Sequence, residues 1–169
     1  MAVPSDLTET ARTIEAGLRR DLAWQLVSQD GDGDTEWFAS ALTSLVVVVG
    51  TQPVHFVAAH GAVDEGELFD VAATIFTDRR VIDIRASTSR WDAPVSWTVE
   101  VHPLAGVTRV EVSATADPWD RSPGAEWPGL VRAAVTFTGG RRIELRPQGP
   151  DAEHRAELYA LVGLLLDAP

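Results

Sequence analysis

Apolar residues recur every three or four positions along the N-terminal part of the chain, which is the spacing of an amphipathic helix. The stripe consists of Leu7, Ala11, Ile14, Leu18, Leu22 and Leu26. Ser5 or Asp6 can cap its start, and Glu9 lies in the first turns, where the helix dipole favours an acid. We therefore predict a single helix over residues 5–29.

A second apolar stripe at helical spacing follows a polar, glycine-rich break at residues 30–34. It consists of Trp37, Phe38, Ala41, Leu42 and Leu45, and Asp34 or Thr35 can cap it. The pattern leaves the end of this helix open, because the valines at 46–49 favour extended structure whereas the preceding period favours a helix. Gly50 suits either a helix stop or a turn.

From residue 53 onward the apolar residues alternate with polar ones, which predicts seven strands. Their ranges are 54–60, 68–76, 80–85, 95–102, 107–113, 131–138 and 141–146. The alternation is clear where Trp97, Val99 and Val101 interleave with polar residues, a pattern typical of an antiparallel sheet with one buried face. Gly139 and Gly140 predict a two-residue turn between the last two strands, since both can take positive φ without steric cost.

A closing helix is predicted to start near residue 150, with Asp151 as its cap. Its apolar face consists of Leu158, Leu161, Val162 and Leu165. Two helices, seven antiparallel strands and a closing helix predict an α+β domain. We expect a helical segment at residues 1–50 and the sheets with the closing helix at residues 51–169, packed as one compact unit.

Composition and charge exclude several classes of function. No residue is Cys and none is Lys, because all 14 basic residues are Arg; thiol nucleophiles, Schiff bases and P-loop lysines are therefore excluded. A formal net charge of −11 repels phosphate backbones and anionic headgroups, so we expect no nucleic-acid partner, whereas a basic protein or peptide remains allowed. Neither a secretory signal nor an apolar run of bilayer length occurs, and the expected location is cytoplasmic.

Two patterns resemble metal or catalytic motifs and then depart from them. Asp30, Asp32 and Asp34 alternate like the first ligands of a calcium loop, but Thr35 stands where Gly is needed and Ala41 where a bidentate Glu is needed. The four histidines lack metal-ligand spacing: His55 and His60 are expected on opposite strand faces, His102 on a solvated face and His154 at the surface. We predict no catalytic residue, no metal site and no cofactor.

Tryptophans in the long connections are the main candidates for binding. The connection at 114–129 contains two of them and the connection at 87–94 one, and such residues either anchor a partner or pin their loop to the core. The aromatic pair at the start of the second helix is a further candidate anchor. The candidate residues for binding a partner or ligand are Trp91, Trp119, Trp127, Trp37 and Phe38.

The stretch Phe76-Thr77-Asp78-Arg79-Arg80-Val81, in a chain with seven strands and a C-terminal helix, resembles a hairpin of bacterial pleckstrin-homology-like (PH-like) domains. The resemblance covers residues 53–167 and leaves the first fifty unexplained. It implies two roughly orthogonal sheets, of four and three strands, in a partly open barrel whose end is plugged by the closing helix. Members of this family mostly bind other molecules and do not catalyse.

The lipid-binding members of that family carry basic residues in the loop that joins their first two strands. Here the corresponding stretch is Gly61-Ala62-Val63-Asp64-Glu65-Gly66, which is acidic and contains no base. Carboxylates at this position repel phosphate, so we expect no phosphoinositide ligand.

We therefore expect a non-enzymatic protein- or peptide-binding module of PH-like fold, in which the N-terminal helices can also form a homodimer face. One alternative is a small-ligand-binding or cyclase-like protein of the helix-grip type; another is an acidic inhibitor or immunity-type protein with a basic partner. A barrel interior filled by Trp97, Val99, Val135 and Phe137 favours the module. A cavity lined by His102 or Asp83 favours the helix-grip alternative.

Overall fold

A computed structural model describes residues 5–28, 36–64, 68–88, 94–114, 131–147 and 152–167. Over these ranges the fold is α+β, with four α-helices and two antiparallel sheets. The helices are α1 (Ser5–Leu18), α2 (Leu22–Val27), α3 (Glu36–Val49) and α4 (Ala152–Asp167). The strands are β1 (Val54–Val63), β2 (Phe69–Thr77), β3 (Arg80–Thr88), β4 (Ser96–Pro103), β5 (Val107–Ala114), β6 (Val131–Phe137) and β7 (Arg142–Leu145), with a 3₁₀ turn at Leu104–Gly106.

The chain divides into two compact units, a first unit at Met1–Leu104 and a second unit at Ala105–Pro169. This boundary differs from the one drawn after residue 50 from the sequence, because α1–α3 share a core with the first sheet. All seven predicted strands are present, within a few residues of their expected ends. In the described ranges no helix combines the length and the apolar run that crossing a bilayer requires.

The single helix predicted over residues 5–29 is wrong, because the chain breaks after Leu18 and restarts as α2. Asp21 caps α2: its side-chain oxygen accepts hydrogen bonds from the backbone N–H groups of Ala23, at 3.0 Å, and Trp24, at 3.3 Å. An aspartate directly after two arginines was the available sequence signal for this new start.

The break changes which side chains of α2 face the core. Trp24 is fully buried, whereas Leu22 is 67% exposed and Leu26 is 51% exposed. A continuous helix would have kept both leucines on the stripe of α1, so the predicted apolar face is wrong beyond Leu18.

The ambiguity at residues 46–49 is resolved in favour of a helix. α3 continues through Val49, and Gly50 ends it with a φ of +64° while its N–H donates to the Val46 carbonyl at 2.8 Å. Burial of Leu45 and Val49 on one face of α3 outweighs the preference of valine for extended structure. The guanidinium of Arg80, the first residue of β3, donates to the Val48 carbonyl at 2.7 Å and so stabilises this helix end.

We expect Arg80→Met to lower the free energy of unfolding by about 1 kcal/mol, because it removes the donor and the positive charge from the end of α3. Arg79→Met is the matched control, since Arg79 is the exposed residue directly before Arg80. Its effect should stay within about 0.5 kcal/mol in urea titrations followed by circular dichroism. Equal losses in the two variants would contradict the capping role.

The first sheet has the strand order β1-β2-β3-β4, with every pair antiparallel. The hairpin expected over residues 76–81 is present, and only Asp78 and Arg79 separate β2 from β3. The buried Thr77 hydroxyl oxygen accepts a hydrogen bond from the Arg80 backbone N–H at 3.0 Å, which fixes the turn.

One face of the first sheet packs against α1, α2 and α3 and forms the core of the first unit. Its strand residues are Val57, Ala59, Val71, Ala73, Ile75, Ile82, Ile84 and Ala86, and Trp97 and Val99 pack against them. Trp97 and Val99 border a core built from first-unit residues, because the N-terminal helices cover that sheet face.

The second unit contains the sheet β5-β6-β7 and α4, which lies against β5 and β6. Gly139 and Gly140 take φ values of +92° and +84° as predicted, although four residues, 138–141, separate β6 from β7. The buried residues of α4 are His154, Leu158, Leu161 and Leu165. The strands form two separate sheets of four and three strands, and not a closed barrel.

Candidate functional site

The second face of the first sheet, opposite the core with the helices, is buried at one end and open at the other. Strand register places its side chains in four rows, each with one residue from every strand. The rows are Phe56, Phe76, Val81 and His102; Ala58, Thr74, Asp83 and Glu100; His60, Ala72, Arg85 and Thr98; and Ala62, Asp70, Ser87 and Ser96. The first three residues of the first row are buried and the last row is exposed, so the boundary runs across the second row.

An acid–base cluster lies at this boundary. Asp83 is only 8% exposed, and its Oδ1 accepts a hydrogen bond from the Thr74 hydroxyl at 2.7 Å. His102 Nε2 lies 3.4 Å from Asp83 Oδ2 and 3.6 Å from Glu100 Oε2. Groups that donate, accept and carry charge thus meet beside an open polar surface, where they can bind a small polar group. Over the described ranges no three or more His, Cys, Asp or Glu residues are placed to hold a metal ion.

The other histidines lie apart from this cluster. His55 Nε2 contacts Asp78 Oδ1 at 2.6 Å beside the turn between β2 and β3, and His60 is exposed in the third row. His154 was expected at the surface and is fully buried, since it falls on the same face of α4 as Leu158 and Leu161. The spacing of four residues from His154 to Leu158 was the sequence signal for this burial.

Four aromatic rings cluster where α2, α3 and β2 meet. Trp37 contacts Trp24, Phe38 and Phe69 at ring-centroid distances of 6.4, 5.8 and 5.5 Å. The ring of Trp37 stacks on that of Phe69 with an interplanar angle of 28°, and Trp24 donates its indole N–H to the Ala72 carbonyl at 3.1 Å. Trp24 and Phe38 are buried, whereas Trp37 and Phe69 keep part of their surface exposed.

The candidate binding residues from the sequence are distributed unevenly. Trp37 and Phe38 are adjacent in the aromatic cluster, and Phe38, at 7% exposure, offers little surface to a partner. Trp91, Trp119 and Trp127 lie outside the described residues, so their role stays a prediction. The residues of the calcium-like pattern at 30–34 lie outside them as well.

Sequence reasoning missed the pairing of Thr74 with Asp83. Both lie in strands with apolar residues on each side, Ala73 and Ile75 around the threonine and Ile82 and Ile84 around the aspartate. A polar residue inside such a run predicts a buried, hydrogen-bonded group, but only the register of β2 on β3 shows that the two are partners.

No protein-family model matches the chain, and comparisons with curated proteins and with solved structures likewise find no match.

Proposed function

We propose that the protein is a non-enzymatic module that binds a basic protein or peptide. The distribution of charge carries this proposal. The first unit has seven arginines and sixteen acidic residues, a formal charge of −9, whereas the second has seven and nine, a charge of −2. Charge of one sign concentrated on one unit steers an oppositely charged partner toward it. The exposed acids of the first unit include Asp6, Glu9, Glu36, Asp64, Asp70 and Glu100.

We further propose a PH-like architecture for the sheets and the closing helix. Three observations support it: the division into four and three antiparallel strands, the two-residue turn at Asp78 and Arg79, and α4 after the last strand. The region between β1 and β2 supports a protein ligand over a phosphoinositide. β1 continues through Val63, and the connection that follows begins with Asp64 and carries no arginine.

The binding proposal is tested by capturing proteins from the native cytoplasm, identifying them, and titrating each purified candidate by calorimetry. A true partner should bind saturably with a defined stoichiometry, and its binding should persist at 0.5 M salt, where the Debye length is only about 4–5 Å. The triple variant Glu9→Gln, Asp70→Asn, Glu100→Gln should weaken binding about tenfold.

The matched control neutralises three exposed acids of the second unit, Glu144→Gln, Glu153→Gln and Asp167→Asn. It should change the affinity less than about twofold. Equal losses in the two triple variants, or a cytoplasm that yields only non-saturable background, would refute the proposal. A captured toxin or nuclease that loses its activity on binding would instead favour the inhibitor alternative.

A second candidate function is binding of a small polar ligand, and the cluster of Asp83, Thr74 and His102 favours it. The test is a thermal-shift screen with small organic amines and carboxylic acids, run on the wild type and on Asp83→Asn. A compound that raises the unfolding temperature of the wild type but not of the variant would support this function. If every compound that shifts the wild type shifts the variant equally, the cluster is structural.

A further inference from the structure

The exposed part of the aromatic cluster has an acidic border. Glu36 is exposed and directly precedes Trp37 at the start of α3. Val63 pairs with Phe69 across β1 and β2, and the next residue, Asp64, is exposed and closes the hairpin through backbone and side-chain bonds to Leu68. Because Trp37 stacks on Phe69, the start of α3 and this end of the β1–β2 hairpin lie next to each other.

The helices and strands that build this place contain two histidines, His55 and His60, but neither arginine nor lysine. α2, α3, β1 and β2 together include no arginine, and the chain has no lysine. Both Glu36 and Asp64 are exposed. An aromatic face bordered by carboxylates attracts a cation, because the ring quadrupole and the negative charges act in the same direction.

We infer that the surface formed by Trp37, Phe69, Glu36 and Asp64 binds an arginine side chain of a basic partner. The inference rests on the proposed function and names the chemistry of its partner. A planar guanidinium can stack on the exposed part of Trp37 and donate hydrogen bonds to a carboxylate at the same time. Tryptophan and arginine are also the residues on which binding energy concentrates at protein interfaces.

The experiment measures binding of fluorescein-labelled nona-arginine to the full chain by fluorescence anisotropy in 0.15 M salt. Trp37→Leu removes the aromatic ring and keeps an apolar side chain, and we expect it to raise Kd about tenfold. Trp37→Phe keeps a ring and should stay within about threefold of the wild type. Glu36→Gln should raise Kd about threefold, and it leaves the aromatic packing intact.

Two controls separate the specific surface from diffuse attraction to the acidic chain. Glu144→Gln removes an exposed acid from the second unit and should leave Kd within about twofold, and nona-lysine should bind more weakly than nona-arginine. Equal Kd values for Trp37→Leu and Trp37→Phe, or equal losses for Glu36→Gln and Glu144→Gln, would overturn the inference. If Trp37→Leu does not fold, two comparisons of Kd still test the inference: Trp37→Phe against the wild type, and Glu36→Gln against Glu144→Gln.

Two further outcomes would overturn this inference without refuting the proposed binding function. If a captured cytoplasmic partner binds the wild type and Trp37→Leu equally, the binding function stands and this surface is excluded. If sedimentation shows a dimer of the wild type that is lost in Trp37→Leu, a second copy of the chain occupies the surface, and the inference is overturned in favour of self-association.

Discussion

Replacing Trp24 by alanine should produce the largest loss of stability among single substitutions in the first unit. Its side chain is fully buried, contacts the rings of Trp37 and Phe38, and donates a hydrogen bond to the Ala72 carbonyl of β2. Truncating a buried aromatic residue to alanine costs about 3–5 kcal/mol, because apolar contacts are lost and a cavity remains. Urea titration followed by far-UV circular dichroism measures this without relying on tryptophan emission.

Two further variants test whether the loss comes from the buried ring of Trp24. Trp24→Phe keeps most of the apolar volume and loses the indole N–H, so its cost should be about 1–2 kcal/mol. Leu22→Ala should cost less than about 1 kcal/mol, because Leu22 is 67% exposed. A loss of several kcal/mol in Leu22→Ala with little change in Trp24→Ala would instead support one continuous helix with the leucines in the core.

Replacing Gly17 by alanine should destabilise the chain by up to about 2 kcal/mol. Gly17 is buried in α1, and an added Cβ would lie 2.6 Å from both Cβ and Cγ2 of Val57 in β1. Because these atoms belong to a β-branched side chain held in the core, α1 must move away from the sheet. Overpacking of this kind costs about 1–3 kcal/mol, and alanine recovers about 1 kcal/mol through its higher helix propensity.

The chain supplies a matched control at Gly163 in α4, where an added Cβ meets no atom within 4 Å. Gly163→Ala should therefore stabilise by about 0.5–1 kcal/mol, since only the propensity gain applies. Opposite signs for the two substitutions in thermal unfolding would verify the close approach of α1 to β1. Stabilisation by both would show that the first unit relaxes around the new methyl group.

The sequence predicted an element well where the interactions that form it join residues close together in the chain. The seven strands followed from alternation, and the positive φ of Gly139 and Gly140 followed from the absence of a Cβ. The break before Asp21 was missed because the periodic stripe continues through it. Only the hydrogen bond from Trp24 to β2 and the burial of that ring show that α2 turns a different face to the sheet.

The candidate site was predicted to a smaller extent, because it is assembled from distant segments. The sequence singled out Trp37 as a candidate anchor through its position at the start of a helix, and that role stays a prediction. It did not identify Phe69, which lies more than thirty residues later and meets Trp37 only once α3 packs against the first sheet. The sequence named Asp83 and His102 only as possible lining of a cavity and did not single out Thr74; strand register places Thr74 and Asp83 in one row and His102 in the next.

By itself the sequence determined the α+β class, the strands, the closing helix and the acidic charge, because each depends on composition or on contacts between near neighbours. Tertiary structure decided that α3 extends through Val49, that Trp24 replaces Leu22 in the core, and that Trp37 stacks on Phe69. These features depend on packing between segments far apart in the chain, where burial of apolar surface outweighs the local preferences that a sequence pattern records.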